Sequence, residues 1–301
     1  MRYRPFGATG KAVSAISLLL HEAPNMNSPG AWRTLAFCAM ENGVNSFELT
    51  AGSDVLAMGV GEALSAVERR LIFLGWRLRG TAAGKMTARD IAESVRGALQ
   101  RTRAGYLDVL MMDEAAVETL TPDARTYLAD LKNSGVCLQI GVVGDGPVVD
   151  DCISNDLFDV LVTPFSLVSD WQARRRIRDA SAANMTLLAC DPFPTTLPGA
   201  GGARTEGDRV PRRGLLGVRR AEPLAGMGGY GFLQDTAGWT NEDICLAYAL
   251  TEPAFATVQV TAWRADAVER LAAVCDKDLP TSVAAQIEMA RFGQVAAQRR
   301  A

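Results

Sequence analysis

Three ionisable side chains stand at the ends of apolar runs, where a folded chain brings separate segments to a common edge. His21 follows Ala15–Leu20, Glu48 closes Val44–Leu49 and Asp113 follows Leu107–Met112. Carboxylates and imidazole are the usual movers of protons near neutral pH. An acid/base set of Glu48, Asp113 and His21 is therefore one reading, and three partly solvated rim residues is the other. A second group is cationic. Arg264 follows the last apolar run, and Arg204, Arg209, Arg212 and Arg213 crowd a Gly- and Pro-rich stretch. Guanidinium groups grip anions through paired, charge-assisted hydrogen bonds, so these arginines are candidates for holding an anion.

Other signals are weaker. Gly141-Val142-Val143-Gly144-Asp145-Gly146 is glycine-rich, but it lacks the Walker lysine and the full Rossmann spacing, and a tight turn explains it. Arg174, Arg175, Arg176 and Arg178 form either a solvated helix face or a surface for an acidic partner. Trp32 and Trp171 begin helices; packing on the body of the protein is the simpler reading and contact with a partner the other. Cys38, Cys137, Cys152, Cys190, Cys245 and Cys275 are dispersed with no Cys-x-x-Cys pair, which reads as reduced, mostly buried thiols. With one histidine in the chain, a Cys/His zinc site is not expected.

The elements that must position these residues alternate. Short apolar runs are separated by longer amphipathic stretches, the pattern of βα units around a parallel sheet. Strands are expected at Ala15–Leu20, Val44–Leu49, Leu71–Trp76, Leu107–Met112, Cys137–Val142, Phe158–Val162, Met185–Ala189 and Ala256–Val260. The clearest helix is Thr87–Arg101, with Thr87 as N-cap, Asp90 three residues on, and Ile91, Val95 and Leu99 on one stripe. Ser282–Gln298 reads as a terminal helix. Eight such units fill residues 1–301 and favour one closed barrel domain over two smaller ones. Pro192–Gly238 breaks the rhythm, and a loop of that length is usually functional or mobile.

Composition bounds the answer. A chain of 301 residues can bury about 75% of its unfolded surface. A net charge of −3 argues against general nucleic-acid binding, which needs a basic surface. No apolar run reaches the ~20 residues of a membrane span, and no secretory signal is apparent, so a cytoplasmic protein is expected.

Several segments, taken in order, carry a family likeness. They are Tyr3-Arg4-Pro5-Phe6-Gly7 through Gly10 to Ser14, Glu41-Asn42-Gly43-Val44-Asn45-Ser46-Phe47, Gly105-Tyr106-Leu107-Asp108, and Leu131-Lys132-Asn133-Ser134-Gly135 leading to Gln139-Ile140-Gly141. In this order and spacing the chain resembles the aldo-keto reductases, from its N-terminus to about Val274. The resemblance implies a (β/α)8 TIM barrel, an N-terminal β-hairpin under it, and a long, partly mobile loop after the seventh barrel strand. It also implies carbonyl reduction with a nicotinamide cofactor by an Asp, a Tyr, a Lys and a His at the barrel mouth.

Those four positions map to Glu48, Ser53, Trp76 and Asp113. Serine is a far weaker acid than tyrosine, and tryptophan supplies no charge, so no catalytic residue is expected. The family's Ser-Asn pair and Gln, which hold the nicotinamide amide, map to Val143, Gly144 and Val162. Its ring-stacking residue maps to Cys190. Cys190, Asp191, Phe193 and Arg264 are the cofactor-binding candidates. Because the usual arginine of NADP-specific members falls at Ala267, NAD(H) is expected over NADP(H), with no metal. Gly214-Leu215-Leu216-Gly217 resembles a fragment of the family's clamping loop.

Two readings follow. In the first, the chain is a catalytically degenerate member, a regulatory binding module responsive to NAD(H). The superfamily's degenerate members include a regulator of bacterial cell division, which implies a protein partner such as the division-ring tubulin or a cell-cycle kinase. In the second, it is an enzyme with an altered acid/base site that uses Glu48, Asp113 and His21 on a small substrate.

Overall fold

Eight strands, all parallel, close into a barrel in the computed structural model, which describes residues 1–80, 84–194 and 236–298. A short antiparallel hairpin, β1 (Tyr3–Pro5) and β2 (Ala12–Ser14), precedes it. The barrel strands are β3 (Ile16–Leu20), β4 (Ser46–Thr50), β5 (Phe73–Leu78), β6 (Leu107–Asp113), β7 (Cys137–Val143), β8 (Val160–Pro164), β9 (Thr186–Cys190) and β10 (Phe255–Val260). Each pairs with the next in sequence, and β10 closes on β3. The surrounding helices begin with α1 (Pro29–Glu41), α2 (Asp54–Leu64), α3 (Ala88–Thr102), α4 (Glu114–Glu118) and α5 (Pro122–Asn133). They continue with α6 (Pro147–Ile153), α7 (Trp171–Ala182), α8 (Asn241–Thr251), α9 (Ala265–Val274) and α10 (Thr281–Gln298).

Side chains alternate across each strand, and this sorts the core into two. The larger part lies between strands and helices and includes Ile16, Leu18, Phe47, Leu49, Leu74 and Val258. The smaller part fills the barrel, where Phe73, Val109, Met111, Val160, Val162 and Leu188 meet Phe6 and Val13 of the hairpin. The Phe6 and Phe73 rings lie 4.1 Å apart. The hairpin is therefore a plug at the N-terminal end of the strands. Asp108, 2% exposed, ties the plug down by accepting from Lys11 Nζ, from Arg69 NH2 at 2.7 Å and from the Leu74 backbone N–H at 2.8 Å.

The helix expected at Thr87–Arg101 forms as α3, with a reciprocal capping box between Thr87 and Asp90. Ile91 and Val95 are buried on its inner face, while Leu99 is only partly covered. The terminal helix is α10. Trp32 is buried and its indole donates to the Met26 carbonyl at 2.9 Å. Trp171, the first residue of α7, is 63% exposed, contrary to the packing expected of it. The six cysteines are free thiols, five buried and Cys190 half-exposed.

The arginine run on α7 is only in part a solvated face: Arg175 and Arg178 are exposed, whereas Arg174 and Arg176 are engaged by other elements. Arg174 donates to Tyr248 Oη at 2.7 Å and lies 3.5 Å from Glu288, joining α7, α8 and α10. Arg176, 9% exposed, forks onto Asp150, and Arg175 pairs with Asp179. The expected loop after β9 falls mainly on residues 195–235, with Arg204, Arg209, Arg212, Arg213 and Gly214–Gly217, and lies outside the described residues. No helix among the described residues is long and apolar enough to cross a membrane.

Candidate functional site

The C-terminal ends of barrel strands are where this architecture assembles chemistry, and here they converge on Glu48. It lies on the inward face of β4 and is 3% exposed. Gly75 stands directly opposite on β5, and a Cβ there would come within 3.0 Å of Glu48 Cγ, so the glycine makes room for the longer acid. Two residues on, Arg77 points the same way and donates through Nε to Glu48 Oε1. Arg77 NH2 donates to Gln259 Oε1 at 3.0 Å, and Gln259 Nε2 donates to Glu48 Oε2. The three side chains form a closed hydrogen-bonded ring across β4, β5 and β10. Such a pair is tolerable in the interior because both carboxylate oxygens of Glu48 accept a hydrogen bond within the ring.

This corrects the expectation for Trp76. Strand β5 runs two residues further than its apolar pattern suggests, to Leu78, so Trp76 is not its last residue. Trp76 faces outward, 4% exposed, and donates to Ser94 Oγ on α3 at 2.9 Å. The cation inside the mouth is Arg77. Sequence reasoning missed both Arg77 and Gln259. The available signal was the period of two, since Phe73, Gly75 and Arg77 must share a face and Trp76 the other.

The remaining acid/base positions have structural partners. Ser53 caps α2, its hydroxyl accepting from Leu56 N–H at 3.4 Å. Asp113 caps α4, with Oδ1 accepting from Ala116 N–H at 2.8 Å and Gly80 N–H at 2.9 Å. Glu48 and Asp113 therefore share no hydrogen-bond partner, and the structure does not assemble them as a coupled acid/base pair. His21 follows β3 and meets Trp263 edge-on, with ring centroids 5.3 Å apart.

The dinucleotide positions give a divided result. Val143 and Val162 are apolar and line the barrel interior with Cys190. At Gly144 (φ +153°) a Cβ would collide with the Glu114 carboxylate, which accepts from Asp145 and Gly146 N–H, both at 2.8 Å. Glu114 thus occupies the turn after β7 where an amide-holding pair would stand. Burial pushes the Cys190 thiol well above its ordinary pKa; the Asp191 carboxylate adds to this and the Arg77 guanidinium opposes it. Asp191 is in the left-handed region at φ +49°, and Phe193 packs partly buried against the core. Arg264 precedes α9, exposed, and forks onto Asp266 at 2.8 and 2.9 Å. A phosphate would have to compete with that carboxylate. The described residues do not fit a nicotinamide ring held by its amide.

The sequence profile of the Aldo/keto reductase family matches residues 53–291. The chain belongs to the aldo/keto reductase family, whose members are generally oxidoreductases that bind NAD(P)H. The fold is similar to that of the aldo-keto reductase AKR11C1 from Bacillus halodurans in its holo form, with a TM-score of 0.73 at 16% identity and 96% of each chain covered. The apo form of that protein gives a TM-score of 0.70. The thermostable aldo-keto reductase Tm1743, solved in complex with the inhibitor epalrestat, gives 0.71 at 17% identity, covering 96% of this chain and 100% of its own. Comparison with curated protein sequences finds no match.

Proposed function

We propose that this chain is an aldo/keto reductase that has given up carbonyl reduction and acts as a regulatory binding module. One observation carries the reading. The positions that supply acid, base and charge in the family's chemistry are engaged in internal bonds here: Glu48 and Arg77 in the ring with Gln259, Ser53 on α2 and Asp113 on α4. The tyrosines among the described residues stand elsewhere: Tyr3 on the hairpin, Tyr106 before β6, Tyr127 on α5 and Tyr248 on α8. No phenol of theirs is placed to hand a proton to a carbonyl at the mouth. General acid catalysis is typically worth ~10²–10⁴-fold, and a carbonyl without it gains little from the barrel alone.

A dinucleotide would then serve as an effector, held from its phosphate end rather than by its ring. The narrower form of this reading, control of bacterial cell division or the cell cycle through a tubulin-like or kinase partner, rests on the likeness to degenerate members of the superfamily. Titration of the protein with NADH, followed by cofactor fluorescence, tests the effector. Saturable binding without oxidation in the presence of aldehydes is the expected result. Turnover of ordinary aldehydes at rates typical of the family, abolished by Glu48→Ala, would refute the proposal.

A further inference from the structure

We infer that a cavity on the outer face of α1 binds an elongated zwitterion, a molecule with an ammonium group at one end and a carboxylate at the other. The cavity, about 960 Å³, is walled by α1, α2, α9 and Arg103, which follows α3. Small-molecule sites fall in the range of ~300–1,000 Å³. None of the mouth residues Glu48, Arg77 and Gln259 lines it. Arg33, Phe37 and Glu41 recur every fourth residue and so share one stripe of α1, while Trp32, Leu35, Ala36 and Ala39 are buried on the other side. An outward stripe of a helix is normally polar. Phe37 is instead partly buried against the core and gives the cavity an apolar floor.

Charge is divided across this floor. On the α9 side stand Glu41 and Glu269, whose carboxylates have no ion pair among the described residues. Burial raises the Cys38 thiol above its ordinary pKa, and the Glu269 and Glu41 carboxylates raise it further, so both charges are felt at one point of this wall. On the α2 side, Arg33 lies 3.4 Å from Glu62, and Arg103 adds a guanidinium with no ion pair among the described residues. An excess of negative charge on one side and of positive charge on the other is complemented by a ligand of opposite polarity. Among the described residues no Cys and Glu group is arranged to hold a metal ion, so the cation is organic. The span sets the length. Arg33 and Glu41 are eight residues apart, about 12 Å along the helix axis. An α-amino acid, with both charged groups on one carbon, is too short to reach both ends, and a linear ω-amino acid is not. The site lies apart from the barrel mouth, so it is independent of the regulatory reading and goes beyond it.

Calorimetric titration of the full chain with ω-aminooctanoate, α,ω-diaminooctane and octanedioate tests it, because the three share a chain length and differ in their end charges. The amino acid should bind about fivefold more tightly than the diamine or the diacid, each of which sets one like charge against a wall. Glu269→Gln and Arg103→Gln alter exposed side chains that bridge to nothing else in the fold. Each should preserve the melting temperature while weakening ω-aminooctanoate about three- to tenfold. Absence of ω-aminooctanoate binding, diamine or diacid binding as tightly, or an unchanged affinity in either variant would each overturn the assignment. These readouts are of binding alone. A positive aldehyde turnover assay would sink the regulatory proposal and leave this one standing.

Discussion

Arg77 and Glu48 show how one residue of register changes the reading of a site. Read as the end of its strand, Trp76 leaves the mouth without a cation; with β5 running to Leu78, Arg77 faces inward and Gln259 completes a ring with Glu48. The mouth is thus not stripped of charge but neutralised from within. Removing one partner of a buried pair strands the other, which typically costs ~3–5 kcal/mol. Arg77→Met should lower stability to urea by about that much, and Glu48→Gln with Arg77→Met should recover much of the loss. If Arg77→Met unfolds at the same urea concentration as the unmodified protein, the ring is not the buried unit described.

Elements were more legible than side-chain roles. The eight strands and the capping box of α3 follow from alternation and the Thr87–Asp90 pair, which are local signals, whereas the hairpin was legible through the family resemblance. Strand ends are not local: β5 extends past its apolar run because Arg77 finds Glu48 and Gln259 across the barrel, 29 and 182 residues away in sequence. Arg174 and Arg176 of α7 were misread for the same reason. Their partners Asp150, Tyr248 and Glu288 lie on α6, α8 and α10. Arg174→Glu should therefore destabilise the protein by more than about 1 kcal/mol, by breaking a bond to a charged group and placing like charges together. Arg178→Glu should stay within about ±0.5 kcal/mol, as exposed substitutions do. Equal melting temperatures for the two variants would contradict the account.

At the scale of the whole molecule, the packing around the barrel is recorded in its thiols. Burial pushes Cys137 and Cys275 up to about 12 and Cys152 to about 11, and raises Cys190 and Cys245 as well. Unfolded thiols ionise near pH ~8.5, so above that value the folded chain holds more protons than the unfolded one. Stability then falls as pH rises. Below it both states are protonated, and this contribution is fully present. The melting temperature should be insensitive to thiol ionisation near neutral pH and decline from about pH 8.5 upward. Cys137→Ala should decline less steeply relative to its own neutral value. A parallel decline in that variant would mean that the Cys137 thiol is not the source.

The barrel is a scaffold on which sites are grafted, so its membership in a reductase family does not by itself decide its chemistry. The central claim is that hydride transfer to a carbonyl has been lost because, among the described residues, no uncommitted general acid stands at the mouth. Turnover of a panel of aldehydes with NADH and with NADPH, followed by cofactor absorbance at high protein concentration, tests it most directly. The account predicts no cofactor oxidation above the rate without protein. Oxidation that scales with protein concentration and disappears in Glu48→Ala would contradict it.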